Sequence, residues 1–377
     1  MQSPRTPSPS LKTILLLGTA YFLVFAGSNI WRSTFHNYAL ETYHVTPLQI
    51  GLLFSIAGVP GVLAFGVGFI SKKVKAFLLM AISCASVGGG LIWLGMAPNW
   101  SSLWFGVLAI SVGFTVFYPL ITGFGLHSSA PEKPQFHMGY LKSFGPLAAI
   151  VSALLIRYTL QPVGYRFFLV ITGVLVAIGG LVISFDTRKT DFAAKQGALK
   201  LRMGLWPYYA LNFLAGTRSA IFKTFVLYLL ISEHGLRIHQ TAVLVLAGNI
   251  CGFLSYRWIG KISVIYEPSK VLAVIYAGVA IIFFGFSVFD QPLVLSGLYC
   301  LDSLLFGVSV LTDSHLRKLS PPENFVGNLA VGLTLFHLAG VFLPPLAGLV
   351  WENGGAYSTF ALASVLALIA ALISLKL

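Results

Sequence analysis

Charge is what this chain has least of. Asp, Glu, Lys and Arg make up 9% of its 377 residues, and only 11 of those charged residues are acidic. A water-soluble fold of this length would lack the polar residues needed to clothe its surface. Cysteine is scarce as well. Cys84, Cys251 and Cys300 fall inside apolar stretches with no CxxC spacing, which argues against a disulfide framework or a thiolate metal site and leaves packing as their default role. Enzyme signatures are missing too: there is no HExxH, no GxSxG, no GxxxxGK[ST] phosphate loop and no GxGxxG after a strand. No cofactor, no resident metal and no ATP drive are expected. Alternating period-2 segments, the mark of outer-membrane barrels, are also absent.

What fills the chain instead is hydrocarbon. Hydrophobic residues reach 57% and the mean hydropathy is +0.86. About 20 apolar residues at helical rise cross a bilayer core, and that template fits residues 13–38, 47–70, 74–96, 101–126, 136–158 and 164–185, then 204–231, 240–259, 270–289, 293–314, 325–350 and 358–376. The polar head Met1 to Ser10 precedes a run too long for a signal h-region of about 7–15 residues, so the first segment is taken as a span. The sequence therefore predicts an all-α, multi-pass membrane protein.

Orientation follows from the cations. Lys72, Lys73, Lys75, Lys133, Arg188, Lys189, Lys195, Lys200, Arg202, Arg257, Lys261, Lys270, Arg317 and Lys318, with Arg5, Lys12 and Lys376, place 17 of the 24 basic residues on one side. Arg157, Arg166 and Arg237 occupy loops on the other. The positive-inside rule makes the richer side, with both termini, cytoplasmic. The net charge of +13 is thereby explained by topology and by anionic lipid at the inner leaflet, and nucleic acid need not be invoked.

The second half repeats the first. Ile30-Trp31-Arg32 recurs as Ile221-Phe222-Lys223; Glu41 pairs with Glu233, Gln49 with Gln240, Lys72 with Lys261 and Tyr165 with Tyr357, all at a spacing near 190. Six spans per copy is an even number, so the copies enter the membrane in the same sense. The predicted organisation is a bundle over 1–185, a polar cytoplasmic linker over 186–203 and a second bundle over 204–377.

With twelve spans, a 6+6 repeat, a long basic central loop and Gln49-Ile50-Gly51 opening the second span, the chain resembles the major facilitator superfamily of secondary transporters. Gly66 to Lys73 stands where that family keeps its signature loop, without the signature's acidic residue and second glycine. Gly145-Pro146 is similar to part of a glycine-proline motif common in the family's exporters. The resemblance implies two pseudo-symmetric six-helix bundles and a central cavity lined by spans 1, 4, 7 and 10, opened alternately to either side. It also implies a monomer in lipid that carries a small molecule, in a bacterial inner membrane.

Charge inside hydrocarbon is costly and marks substrate or ion paths. Arg218 lies roughly 21 Å from the cytoplasmic edge by helical rise and Asp302 roughly 17 Å, so the two are expected to pair, either as machinery or as a structural tie. Arg32 and Lys223 are repeat-related and lie roughly 28 Å in; they either snorkel to the outer headgroups or flank the cavity mouth and attract an anion. Asn29, Arg32, Ser33 and His36 share one face of span one, as Asn212, Gly216, Ser219 and Lys223 do on span seven. Arg218 is turned 100° or more from that stripe, so the two cations are not taken to point at one ligand. Lys142 is a further candidate cation, and His337 a candidate proton carrier beside Asp302. Trp31, Phe35, Tyr118, Phe222 and Tyr299 could stack on substrate, although packing is the commoner use of an aromatic. His36, Glu41, His44, Glu233, His234 and His239 at the outer ends lack ligand spacing and read as loop charge rather than a metal site.

The expected function is transport of a small organic anion attracted by Arg218 and Arg32, with Lys223 and Lys142 as further cations and Asn29, Trp31, Tyr118 and Tyr299 lining the site, and coupled to protons through Asp302 and His337. The alternatives are efflux of an amphiphilic or cationic compound recognised by Asp302, and a binding or scaffold protein that carries nothing.

Overall fold

A backbone with lipid for solvent must pair its N–H and C=O groups within itself, and helices are the outcome. In the computed structural model, which describes residues 11–70, 74–127, 134–184, 203–306, 311–312, 316 and 322–377, every regular element is helical. In chain order they are α1 Leu11–Tyr43, α2 Pro47–Val62, α3 Ala76–Met96, α4 Leu103–His127, α5 Pro134–Leu155 and α6 Tyr165–Ser184. Next, α7 starts as Trp206–Ile221, passes through a π turn at Phe222–Val226 and ends as Leu227–Ser232. Then come α8 Ile238–Ile265, α9 Pro268–Val288, α10 Pro292–Leu304 and α11 Pro322–Ser374. Short 3-10 and π turns join or extend several of them.

Among the described residues, seven segments are long and apolar enough to cross a membrane, and Pro47–Val62, Tyr165–Leu181 and Pro292–Leu304 are shorter apolar helices. The sequence separates spans at 350 and 358; α11 runs through that gap but breaks at Gly355, whose φ of 80° and ψ of 171° only glycine adopts without strain. Outward faces carry large bare side chains such as Phe167, Ile281 and Leu293, a surface that lipid covers and water would not. Lys72, Lys73, Lys133, the expected linker from Asp186 to Arg202, Arg317 and Lys318 lie outside the described residues, as does the side chain of Lys142.

By packing, the chain falls into two units, Met1–Phe35 with Leu63–Lys195, and His36–Val62 with Gln196–Leu377. In the first, α3 packs on α4 and α6. Gly88 and Gly173 set how closely: a Cβ on either would stand 2.5 Å from the other's carbonyl oxygen, the small-residue contact that draws helices together where lipid supplies no hydrophobic drive. In the second, α11 packs on α2, α7 and α9.

Residues 36–62 belong by chain order to the first repeat and by contact to the second unit. The fastening is polar. His36 Nε2 donates to Thr224 O (3.0 Å), Asn37 Nδ2 to Leu236 O (3.0 Å), Tyr228 OH to Val45 O (3.0 Å), Leu48 N to Glu352 Oε1 (3.2 Å) and Ser55 Oγ to Val341 O (2.6 Å). Val341 is available because Pro345, four residues on, has no N–H to give its carbonyl.

Candidate functional site

Helix α7 is enclosed almost along its whole length, and so is α1 from Ala20 to Ala39. From Ala20 to Ala39 the one exposed residue is Arg32, and from Pro207 to Ile231 the one exposed residue is Lys223. The two exposed positions are the repeat-related cations.

Each cation stands over a phenyl ring of its own unit. The Arg32 guanidinium carbon lies 5.5 Å from the centre of Phe114 on α4, and Lys223 Nζ lies 5.6 Å from the centre of Phe306, just beyond α10. Such a ring attracts a cation by about 0.5–1 kcal/mol at an exposed site and by more when water is excluded. Phe114 and Phe306 were not among the sequence candidates, yet their spacing is that of the duplication. The same offset that links Arg32 to Lys223 was the signal that could have found them.

Arg218 is placed differently. It is buried, its Nε and Nη2 donate to Asp302 Oδ1 at 3.1 and 2.9 Å, and Nη2 and Nη1 donate to the carbonyls of Asp302 (2.7 Å) and Leu305 (3.0 Å). The expected pairing with Asp302 is therefore direct. With four of its five N–H donors committed and its charge paired with Asp302, Arg218 is a weak attractor for an anion in this conformation. Its guanidinium also lies 5.0 Å from the Phe306 centre, so Arg218 and Lys223 share that ring despite their angular separation. That separation describes Cα positions, and these two side chains are long enough to reach one ring from well-separated points on the helix. Asp302 itself is fully buried, and its Oδ2 has no hydrogen-bond partner among the described residues.

The remaining candidates divide. Tyr299 stacks on Phe222 (4.8 Å, 21°), and Phe222 leans on Phe306 (5.9 Å), which makes an aromatic floor beside Lys223. Tyr118 is exposed and stacks on Phe114 (6.0 Å, 14°). Trp31 is buried against Phe35. Asn29 spends its amide N–H on Phe25 O of its own helix at 2.8 Å. His337, half-buried on α11, fills the space a Cβ on Gly61 would need and lies within electrostatic reach of Lys223. The two polar stripes do not survive as exposed faces: Ser33 and His36 are buried, and Gly216 packs on the Phe336 backbone. His36, read as loop charge at the outer end, holds α1 to α7.

An all-helical chain with a duplicated cation on two enclosed stretches narrows the family, and the pattern of the Major Facilitator Superfamily matches residues 17–312. The chain belongs to the major facilitator superfamily. As a member of that family it is a transporter and not an enzyme. Its fold matches a variant of the nucleoside transporter NupG with a TM-score of 0.81 at 16% identity, over 97% of this chain and 99% of that one. A bacterial homolog of the human lysosomal transporter Spinster, inward-facing and unoccupied, matches at 0.73 and 13%, over 97% and 96%. A POT family transporter in complex with a thioalcohol conjugated peptide matches at 0.78 and 10%, over 97% and 96%. At such identities the likeness is one of fold. No curated protein sequence matches this chain.

Proposed function

We propose that this facilitator carries a small organic anion and that Arg32 and Lys223 are its recognition charges. The observation that carries the reading is their placement: each is the single exposed residue on an otherwise enclosed stretch, each is backed by a phenyl ring, and the two are related by the internal repeat. A cation backed by a ring and exposed on an otherwise enclosed helix is placed to attract an anion. Arg218 serves as a positioning residue, tying α7 to α10 through Asp302.

Proton coupling is the second element of the proposal. Asp302 Oδ2, buried without a partner among the described residues, is a seat for a proton, and protonation would weaken the hold on Arg218. His337 beside Lys223 is the second proton-handling group. Both roles belong to twelve spans arranged as two six-helix bundles, 1–185 and 204–377, joined by the linker 186–203. Both termini are cytoplasmic, and the protein works as a monomer in a bacterial inner membrane.

The test is thermal stability of the purified protein in detergent against carboxylates, phosphonates and organic cations. An anion at about 100 times its dissociation constant adds ~2.7 kcal/mol. Stabilisation by an anion that is lost in Arg32→Gln and Lys223→Gln supports the reading; stabilisation by cations alone overturns it. For coupling, uptake driven by a pH gradient in proteoliposomes should fail in Asp302→Asn. Unchanged uptake in that variant removes the proton role.

A further inference from the structure

Packing was the expected role of all three cysteines, and for Cys84, fully buried in α3, it stands. The other two are brought together. Cys251 on α8 and Cys300 on α10 lie within electrostatic reach of each other where these two helices pack, although 49 positions separate them in sequence. The backbones approach closely on either side of the pair. A Cβ on Gly248 would stand 2.6 Å from the Tyr299 ring, and one on Gly252 would stand 3.9 Å from Ser303 O. Two glycines flank Cys251, and the residues they touch flank Cys300, so this close approach of the helices holds the two thiols side by side.

Both thiols are half-buried, and Phe253, Leu254 and Leu301 beside them are bare apolar side chains on the lipid-facing surface. A reagent dissolved in the bilayer reaches them more readily than one in water. Among the described residues no third His, Cys, Asp or Glu completes a metal cluster here. The chemistry is thereby restricted. A soft centre suits two sulfurs, but an adduct at hydrocarbon depth must carry no net charge, because charge there is costly.

We propose that Cys251 and Cys300 form a dithiol site for monosubstituted trivalent arsenicals. In the step, the arsenic of an R–As=O compound forms one bond to each sulfur; the two S–H protons leave with the oxide oxygen as one water. Arsenic stays trivalent, no electrons move, and the product is a neutral ring that suits the surrounding lipid. A four-coordinate divalent metal held by the same pair would have to bring further ligands into the hydrocarbon. The site is separate from the cations, and its test does not depend on what the protein transports.

The experiment uses phenylarsine oxide on the full chain in detergent, followed by intact mass and by maleimide counting after denaturation. The expected result is one phenylarsenic per chain, reactive thiols falling from three to one, and reversal by 2,3-dimercaptopropanol. Cys84→Ser should retain the adduct, and Cys251→Ser or Cys300→Ser should lose it. Digestion of the unmutated protein should yield one arsenic-linked pair of peptides containing Cys251 and Cys300, a readout that holds even if a variant fails to fold. No adduct, or arsenic on peptides other than this pair, overturns the proposal.

Discussion

Arg218 and Asp302 meet from helices 84 positions apart, with Nε at 3.1 Å and Nη2 at 2.9 Å from a single carboxylate oxygen. Two further hydrogen bonds from the same guanidinium close on the carbonyls of Asp302 and Leu305. One charged head thus binds the end of α10 by both side chain and backbone.

Removing either partner leaves a buried charge uncompensated, which costs about 3–5 kcal/mol. Arg218→Met and Asp302→Leu should each lower the unfolding midpoint in detergent sharply, and the double variant should recover much of the loss. A double variant as unstable as the sum of the two singles would show that the pair is not a unit.

Phe306 lies under two cations and Phe114 under one. Each ring face is worth about 0.5–1 kcal/mol to an exposed cation, and more to a buried one. Phe306→Leu should therefore destabilise more than Phe114→Leu beyond their common loss of volume, and the excess should shrink in Lys223→Gln. Equal effects of the two substitutions would deny the double contact.

Helix α2 lies against α11 with backbone on backbone. A Cβ on Gly51 would fall onto the carbonyl of Pro344, and one on Gly348 would stand 2.6 Å from Pro47 O. Overpacking a tight contact costs about 1–3 kcal/mol, so Gly51→Leu should lower stability by that order and reduce transport in proteoliposomes. Unaltered stability and flux would mean that the two helices separate without cost.

Glu233, just past the end of α7, has its carboxyl pushed above the ordinary value by burial, opposed by His234 and reinforced by Asp290. His234 Nε2 lies 3.6 Å from Asp290 Oδ1 in the same cluster. A raised acid binds its proton more tightly when folded, so its contribution is fully present below the unfolded value and is lost as pH rises through the folded one. Compared with Glu233→Gln, the unmutated protein should lose thermal stability from about pH 4 upward. Parallel pH profiles for the two would remove Glu233 as the cause.

Much of the architecture was legible because lipid leaves few options. A chain with so little charge can satisfy its backbone only as helices, and the spacing that relates Arg32 to Lys223 is visible without coordinates. So was the depth match that paired Arg218 with Asp302. Other features were hidden because they depend on reach and contact: Arg218 and Lys223 share Phe306 despite their angle on the helix, His36 turns from loop charge into a fastening on Thr224, and Cys251 finds Cys300.

The sequence by itself determined the solvent, the helices, the duplication and the identity of the scarce intramembrane charges, since each follows from composition and spacing along one dimension. Only the tertiary structure decided which cation stays open and which is consumed. Exposure and pairing are properties of neighbours: Arg218 is buried and neutralised because α10 brings Asp302 beside it, whereas Arg32 and Lys223 are exposed over the rings of Phe114 and Phe306.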